Sequence, residues 1–126
     1  MFRLIESICT KPIRFIGDKS INFNLGMIVQ LTEIDKNVCC TLSDGSRPFG
    51  VVERVDDKNG LVSIWFDSMV FRTDNFEISD NYKSGNALFV SKNGKLSTEK
   101  PFTNAIMIGH IISIFENNTI IEVNWI

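Results

Sequence analysis

A reactive centre in this 126-residue chain would have to be assembled from one histidine, three cysteines and 15 acidic side chains. His110 stands beside Gly109 in an apolar run, so a Ser-His-Asp or Cys-His arrangement, or a multi-histidine metal site, is short of parts. It reads as a core or barrel-lining histidine. Cys39 and Cys40 are adjacent, face opposite sides of a strand and cannot readily pair with each other. With Cys9 they lack metal-ligand spacing and read as buried thiols. Asp56-Asp57-Lys58-Asn59-Gly60 looks like the opening of a calcium loop, but the closing position, eleven after Asp57, holds Ser68 where a glutamate is required. That run is a hairpin turn. No pair among the acids is singled out for glycoside hydrolysis. We expect no catalytic residue, no metal and no cofactor.

Nucleic acid is the other ligand a small β-domain takes, by stacking bases on aromatics set between basic side chains. Phe71-Arg72 with Phe76, or Trp65 with Arg54, would supply such a surface. Thirteen basic against 15 acidic side chains give a net charge of −2, which provides no broad basic field for nucleic acid or an anionic membrane. Ten phenylalanines against one tyrosine fit a core better than a stacking platform. No apolar stretch approaches the roughly 20 residues of a membrane helix. The unpaired cysteines and the lack of a secretory leader pattern lead us to expect a chain made in a reducing cytoplasm.

The elements that position these residues are strands. Phe, Ile and Val are abundant and Ala and Leu scarce, a usage that favours sheet. Ala87 to Ser91 alternates in facing and runs into Asn93-Gly94, which predicts a tight type I′ hairpin returning through Lys95 to Thr98. Upstream, strands are expected at Gly26–Leu31, Val38–Leu42, Phe49–Val55 and Leu61–Phe66. Turns at Asp35-Lys36-Asn37, Asp44-Gly45 and Asp56-Asp57-Lys58-Asn59-Gly60 separate them. A strand or extended segment from Phe71 to Glu77 links the halves and ends in the polar run Ser79-Asp80-Asn81, and further strands follow at Ala105–Phe115 and Ile120–Trp125. Gly50 and Gly109, inside apolar strands, mark bulges or sharp bends at barrel corners. The fold class is all-β, a compact small barrel or sandwich of roughly 8 to 11 short strands.

Residues 24–66 and 83–125 echo each other at a constant spacing of 59. Gly26 meets Gly85, Leu31 meets Val90, Gly50 meets Gly109, Val52 meets Ile111, Ile64 meets Val123 and Phe66 meets Trp125. Two similar β-units with pseudo-twofold symmetry would follow from an internal duplication; chance likeness of β-segments is the alternative. Residues 1–23 stand outside the echo as an N-terminal arm or strap, and 24–126 form a single β-domain. In the arm, Phe2, Ile5, Ile8 and Cys9 suit a short helical turn, while Ile13, Phe15 and Ile16 suit a strand. Such a segment either closes the barrel or leaves the domain to dock on a neighbouring subunit.

Arg47 to Val52 (RPFGVV) after Asp44-Gly45, then YKSGNALFVSKNGKLST from Tyr82 to Thr98, the IGHII strand Ile108–Ile112 and the closing IEVNW ending at Trp125 carry a resemblance. In this order the chain resembles the small capsid decoration, or head-stabilising, proteins of tailed bacteriophages. In such proteins a phrase of the type G-aliphatic-aromatic-V-x-x-x-G-K-L-T, followed by I-G-aliphatic-aliphatic, recurs in a compact β-domain. The likeness covers about residues 24 to 125, and tail, baseplate and head-completion proteins share parts of it. It implies a non-enzymatic structural protein, made in the host cytoplasm, that binds the outer face of the capsid and bridges major capsid protein subunits. Self-association as dimers or trimers would reinforce such repeated contacts. Exposure logic places the partner-binding residues in the arm (Phe2, Arg3, Ile5, Arg14, Phe15) and in the loops at one end (Arg47, Pro48, Phe49, Phe102).

Overall fold

Eleven strands and no helix are found among the described residues, 1–78 and 82–126, of this computed structural model. The polar run Ser79-Asp80-Asn81 lies outside the described residues. Strands β1 (Phe2–Ser7) and β2 (Ile13–Gly17) come from the N-terminal segment. Four follow before the link: β3 (Ile28–Ile34), β4 (Asn37–Leu42), β5 (Gly50–Asp56) and β6 (Leu61–Phe66). The rest are β7 (Met69–Thr73), β8 (Ala87–Val90), β9 (Leu96–Ser97), β10 (Gly109–Phe115) and β11 (Ile120–Trp125). The protein is all-β, built from two sheets.

The first sheet is a five-stranded ring in the order β2-β4-β3-β5-β6. Its seam is the parallel pairing of β2 with β4, two residue pairs long, Ile16 with Cys39 and Gly17 with Cys40. Asp18 extends the seam: its N–H donates to the Cys40 carbonyl at 2.9 Å and its carboxylate accepts from the Thr41 hydroxyl at 2.9 Å. The Ser20 amide, then the Ser20 and Thr41 hydroxyls, hold the Asp18 carboxyl below its ordinary value. The second sheet has the order β1-β7-β11-β10-β8-β9. A single parallel bridge, Phe76 with Leu96, brings its far end back toward β7, and β1 adds an outer strand on the other edge of β7.

At the spacing of 59 the two units share their hydrogen-bond register. Gly50 opposite Phe66 recurs as Gly109 opposite Trp125, and Val29 opposite Gly50 recurs as Leu88 opposite Gly109. The register shift between Val52 and Arg54 recurs between Ile111 and Ser113. Bonds outside the ladders repeat as well. Gly26 donates to the Val52 carbonyl as Gly85 does to that of Ile111, and Phe49 donates to Val29 as Ile108 does to Leu88.

Two cores result. Val29, Cys40, Val52, Val62 and Ile64 fill the first ring, with Phe15 and Phe49 packed against them. Phe71, Leu88, Val90, Ile111, Ile121, Val123 and Trp125 fill the second. Ile28 and Val51 face this second core although they sit on β3 and β5, beside Val29 and Val52, which face the first. Successive side chains on a strand point to opposite faces, so the uninterrupted apolar pairs Ile28-Val29 and Val51-Val52 mark strands buried on both sides. That is how the two units become one body.

Three local expectations are corrected. The segment containing Phe2 and Ile5 is strand β1 rather than a helical turn, because Phe2 and Leu4 pack on the second core at period two. Ala105 to Ile108 is not strand; β10 begins at Gly109. The type I′ geometry lies elsewhere. In the β8–β9 connection only Gly94 has positive φ (+68°), and its N–H bonds the Ser91 carbonyl at 3.1 Å. That is a turn through Lys92 and Asn93 followed by a left-handed glycine. The two-residue turn with both central residues left-handed is Asp35 (φ +50°) and Lys36 (φ +67°), between β3 and β4.

Lys36 carries a Cβ where glycine is the favoured residue. Lys36→Gly is therefore expected to raise stability by about 0.5–1 kcal/mol, net of the entropy glycine loses on folding. Thermal unfolding would show this as a melting point a few degrees higher. An unchanged or lower value would mean that the turn is not strained.

Candidate functional site

The groups that could do chemistry are scattered over the fold. His110 is half-buried on β10, paired with Asn124 of β11 on one side and Ala87 of β8 on the other. Asn124 in turn pairs with Val70 of β7 and Val70 with Glu6 of β1, so the one acid of this row stands at its far end, with two strands between it and the histidine. Among the described residues no three His, Cys, Asp or Glu side chains converge to hold a metal ion. Asp56 accepts from the Asn59 amide and side chain at the β5–β6 turn, whereas Ser68 follows the far end of β6. The calcium-loop spacing thus spans a whole strand, and the run is a turn. An open groove of ≈ 360 Å³ is lined by Glu6, Ser7, Ile8, Ser68, Met69, Val70 and Asn124.

Cys39 and Cys40 are buried and Cys9 is half-buried, all three as free thiols. Burial pushes the Cys40 thiol up from 9.0 to about 11. Because deprotonation favours the unfolded chain, the stability this thiol supplies is present below 9.0 and lost as pH rises toward 11. Alkylation of the native protein at mildly alkaline pH is expected to label Cys9 first and Cys40 last, read by peptide mass spectrometry. Early labelling of Cys40 would mean that the first core opens readily.

Of the aromatics considered for nucleic acid, Phe71 is fully buried and Phe76 is buried, while Trp65 is half-buried and packs against the second core. Arg72 is engaged on the outer face of the sheet, 3.0 Å from the Glu122 carboxylate and with its guanidinium 4.2 Å from the Phe115 ring centroid.

The residues named as partner contacts divide by facing. Phe2, Phe15 and Phe49 turn inward: Phe2 meets Phe71 edge-on at 5.2 Å, and Phe49 lies between Phe15 and a stacked Phe66. Pro48 is half-buried, while Arg3, Ile5, Arg14, Arg47 and Phe102 are exposed. Two surfaces collect four of these five; Arg14 stands apart on β2, opposite Ser63 of β6. One is β1 with its connector, where Arg3, Ile5 and Ile8 lie. The other is formed by the loops before β5 and before β10, which touch where Gly45 packs on Pro101. On that end the second loop presents Phe102, Ile106 (59% exposed) and Met107, and Ile126 joins it through a hydrogen bond to Ile108. Ile106 and Met107 were hidden from sequence reading because their apolar pattern continues into that of β10. No known family model matches this chain, and no curated protein sequence matches it significantly.

Proposed function

We propose that this chain is a non-enzymatic structural protein of a tailed-phage virion, which binds the outer face of the capsid and bridges major capsid protein subunits. The observation that carries the reading is the apolar loop end, where Phe102, Ile106, Met107 and Ile126 stand in solvent beside Arg47 and Lys100. Exposed apolar groups rimmed by charge suit a protein partner. Support also comes from the segments that carry the resemblance, which form adjacent strands of one sheet, β11-β10-β8-β9, with Arg47 to Val52 leading into β5. A contact of this small size gains strength by repetition over the many equivalent sites of a shell.

Cosedimentation of the purified chain with DNA-free shells of the phage whose genome carries its gene tests the reading. Saturable binding is expected, and Phe102→Ser with Ile106→Ser should weaken it roughly tenfold or more while the unfolding midpoint stays unchanged. Mass spectrometry of separated heads and tails should find the chain in heads. Recovery with tails or baseplates would place it elsewhere in the virion and overturn the capsid assignment. Absence from virions, with DNA affinity falling steeply as salt rises, would replace the proposal with a nucleic-acid-binding role.

A further inference from the structure

We propose that β1 is an exchangeable strand: the outer edge of β7 accepts β1 from a second copy of the chain, in the register that β1 adopts within one chain. The inference stands whether or not the partner is a capsid. Its first ground is connectivity. β1 precedes the first ring in sequence yet pairs with β7 of the second unit, while β2 pairs with β4 and β6 of the first. The chain therefore crosses between the units through residues 8–12. Ile8 on this connector is 70% exposed, and its backbone bonds are the Ile8 amide to Ser68 and the Cys9 amide to the Ser7 hydroxyl. It ends at Pro12, which offers no N–H and favours extended backbone at Lys11.

Weak attachment is the second ground: the ion pair at the start of β1, from the Met1 ammonium to Asp74 at 2.6 Å, is solvent-exposed, and such pairs add little. Only Phe2 and Leu4 of β1 pack on the core, and both are half-buried. The register shift at Ile5 interrupts the ladder. Arg3 lies directly opposite Arg72, and like charges in opposed strand positions are destabilising. Glu122 and Phe115 already engage Arg72.

Third, the edge that β1 covers needs an occupant of that shape. Phe71, fully buried beneath Phe2, would be uncovered if β1 left, and Thr73 would lose the Met1 carbonyl that its hydroxyl bonds at 2.8 Å. β1 of a second copy restores each of these contacts unchanged. Exchange of an identical element costs little beyond association itself. Reciprocal exchange gives a closed dimer.

The test refolds the unsubstituted chain from denaturant at low and at high protein concentration and sizes both by light scattering. Monomer from the dilute sample and a slowly dissociating dimer from the concentrated one are expected; monomer from both overturns the proposal. Where β1 sits is read in an Arg3→Cys, Arg72→Cys variant on a Cys9→Ser background, since directly opposed strand residues lie within bridging reach. Oxidised dimers are expected to stay dimeric on a non-reducing denaturing gel. Dimers that run as internally bridged monomers would show β1 bound within its own chain and overturn the exchange.

Discussion

Gly109→Val is expected to leave the protein unfolded at room temperature, and Gly109→Ala to cost about 4 kcal/mol or more, the exceptional end of single substitutions. The reason is space. Gly109 is buried on β10, opposite Trp125 of β11 on one side and Leu88 of β8 on the other. A Cβ there would stand 1.7 Å from the Asn124 carbonyl oxygen and 2.8 Å from its carbon. Both obstacles are main chain, so β11 would have to retreat by more than an ångström from a ladder that fixes it against β7 as well. The counterpart Gly50 has a little more room. Its Cβ would lie 2.4 Å from the Trp65 carbonyl oxygen, against 1.7 Å at Gly109, and 2.6 Å from the γ2 methyl of the buried, β-branched Ile64. Urea unfolding should therefore rank Gly109→Ala well below Gly50→Ala in stability, with Gly50→Ala itself about 2 kcal/mol below the parent. A parental midpoint for Gly109→Ala would mean that the β10–β11 ladder is looser than the register implies.

Those two glycines show how far the sequence could be read. Their presence inside apolar runs pointed to a special backbone position, and the positions are special, but not as bulges. Each bulge lies further along, between Val52 and Arg54 and between Ile111 and Ser113, and neither glycine has positive φ. Nothing local distinguishes a glycine needed for a turn of the chain from one needed for the approach of another strand. The second case depends on residues far away in sequence, here Asn124.

The same limit applies to Asn93-Gly94. The dipeptide announced a hairpin correctly, yet its side-chain environment set the turn type: the Ser91 hydroxyl accepts from the Asn93 and Lys95 amides and donates to Glu77. Strand existence was legible wherever alternation or a doubled apolar pair was present, as in Val51-Val52. For the candidate surface, exposure logic chose Arg47 and Phe102 on loop position alone. It could not know that Phe49 would be drawn inward between Phe15 and Phe66.

Gly94→Ala should cost about 3 kcal/mol, against about 1 kcal/mol for Gly85→Ala, and the difference measures how firmly the two units are locked together. Both glycines have left-handed backbone, φ +68° at Gly94 and +90° at Gly85, so each alanine carries the penalty of about 1–2 kcal/mol for an L-residue there. Around Gly85 a Cβ meets nothing within 4 Å, and that penalty is the whole effect. At Gly94 the Cβ would lie 2.2 Å from the Leu42 Cδ1 and 3.0 Å from the Ile28 carbonyl, both in the first unit. The Gly94 carbonyl accepts the Ile28 amide at 3.1 Å and the Asn75 side-chain amide at 3.1 Å, while Asn75 also donates to the Gly26 carbonyl at 2.7 Å. Moving the turn off Leu42 strains these bonds, each worth about 1 kcal/mol. Equal losses at the two glycines would show that the turn yields freely and that the apolar contacts of Ile28, Val51 and Trp65 alone join the units. If the lock is as described, Asn75→Ala and Gly94→Ala combined will cost less than the sum of their separate effects, because both act on the same carbonyl.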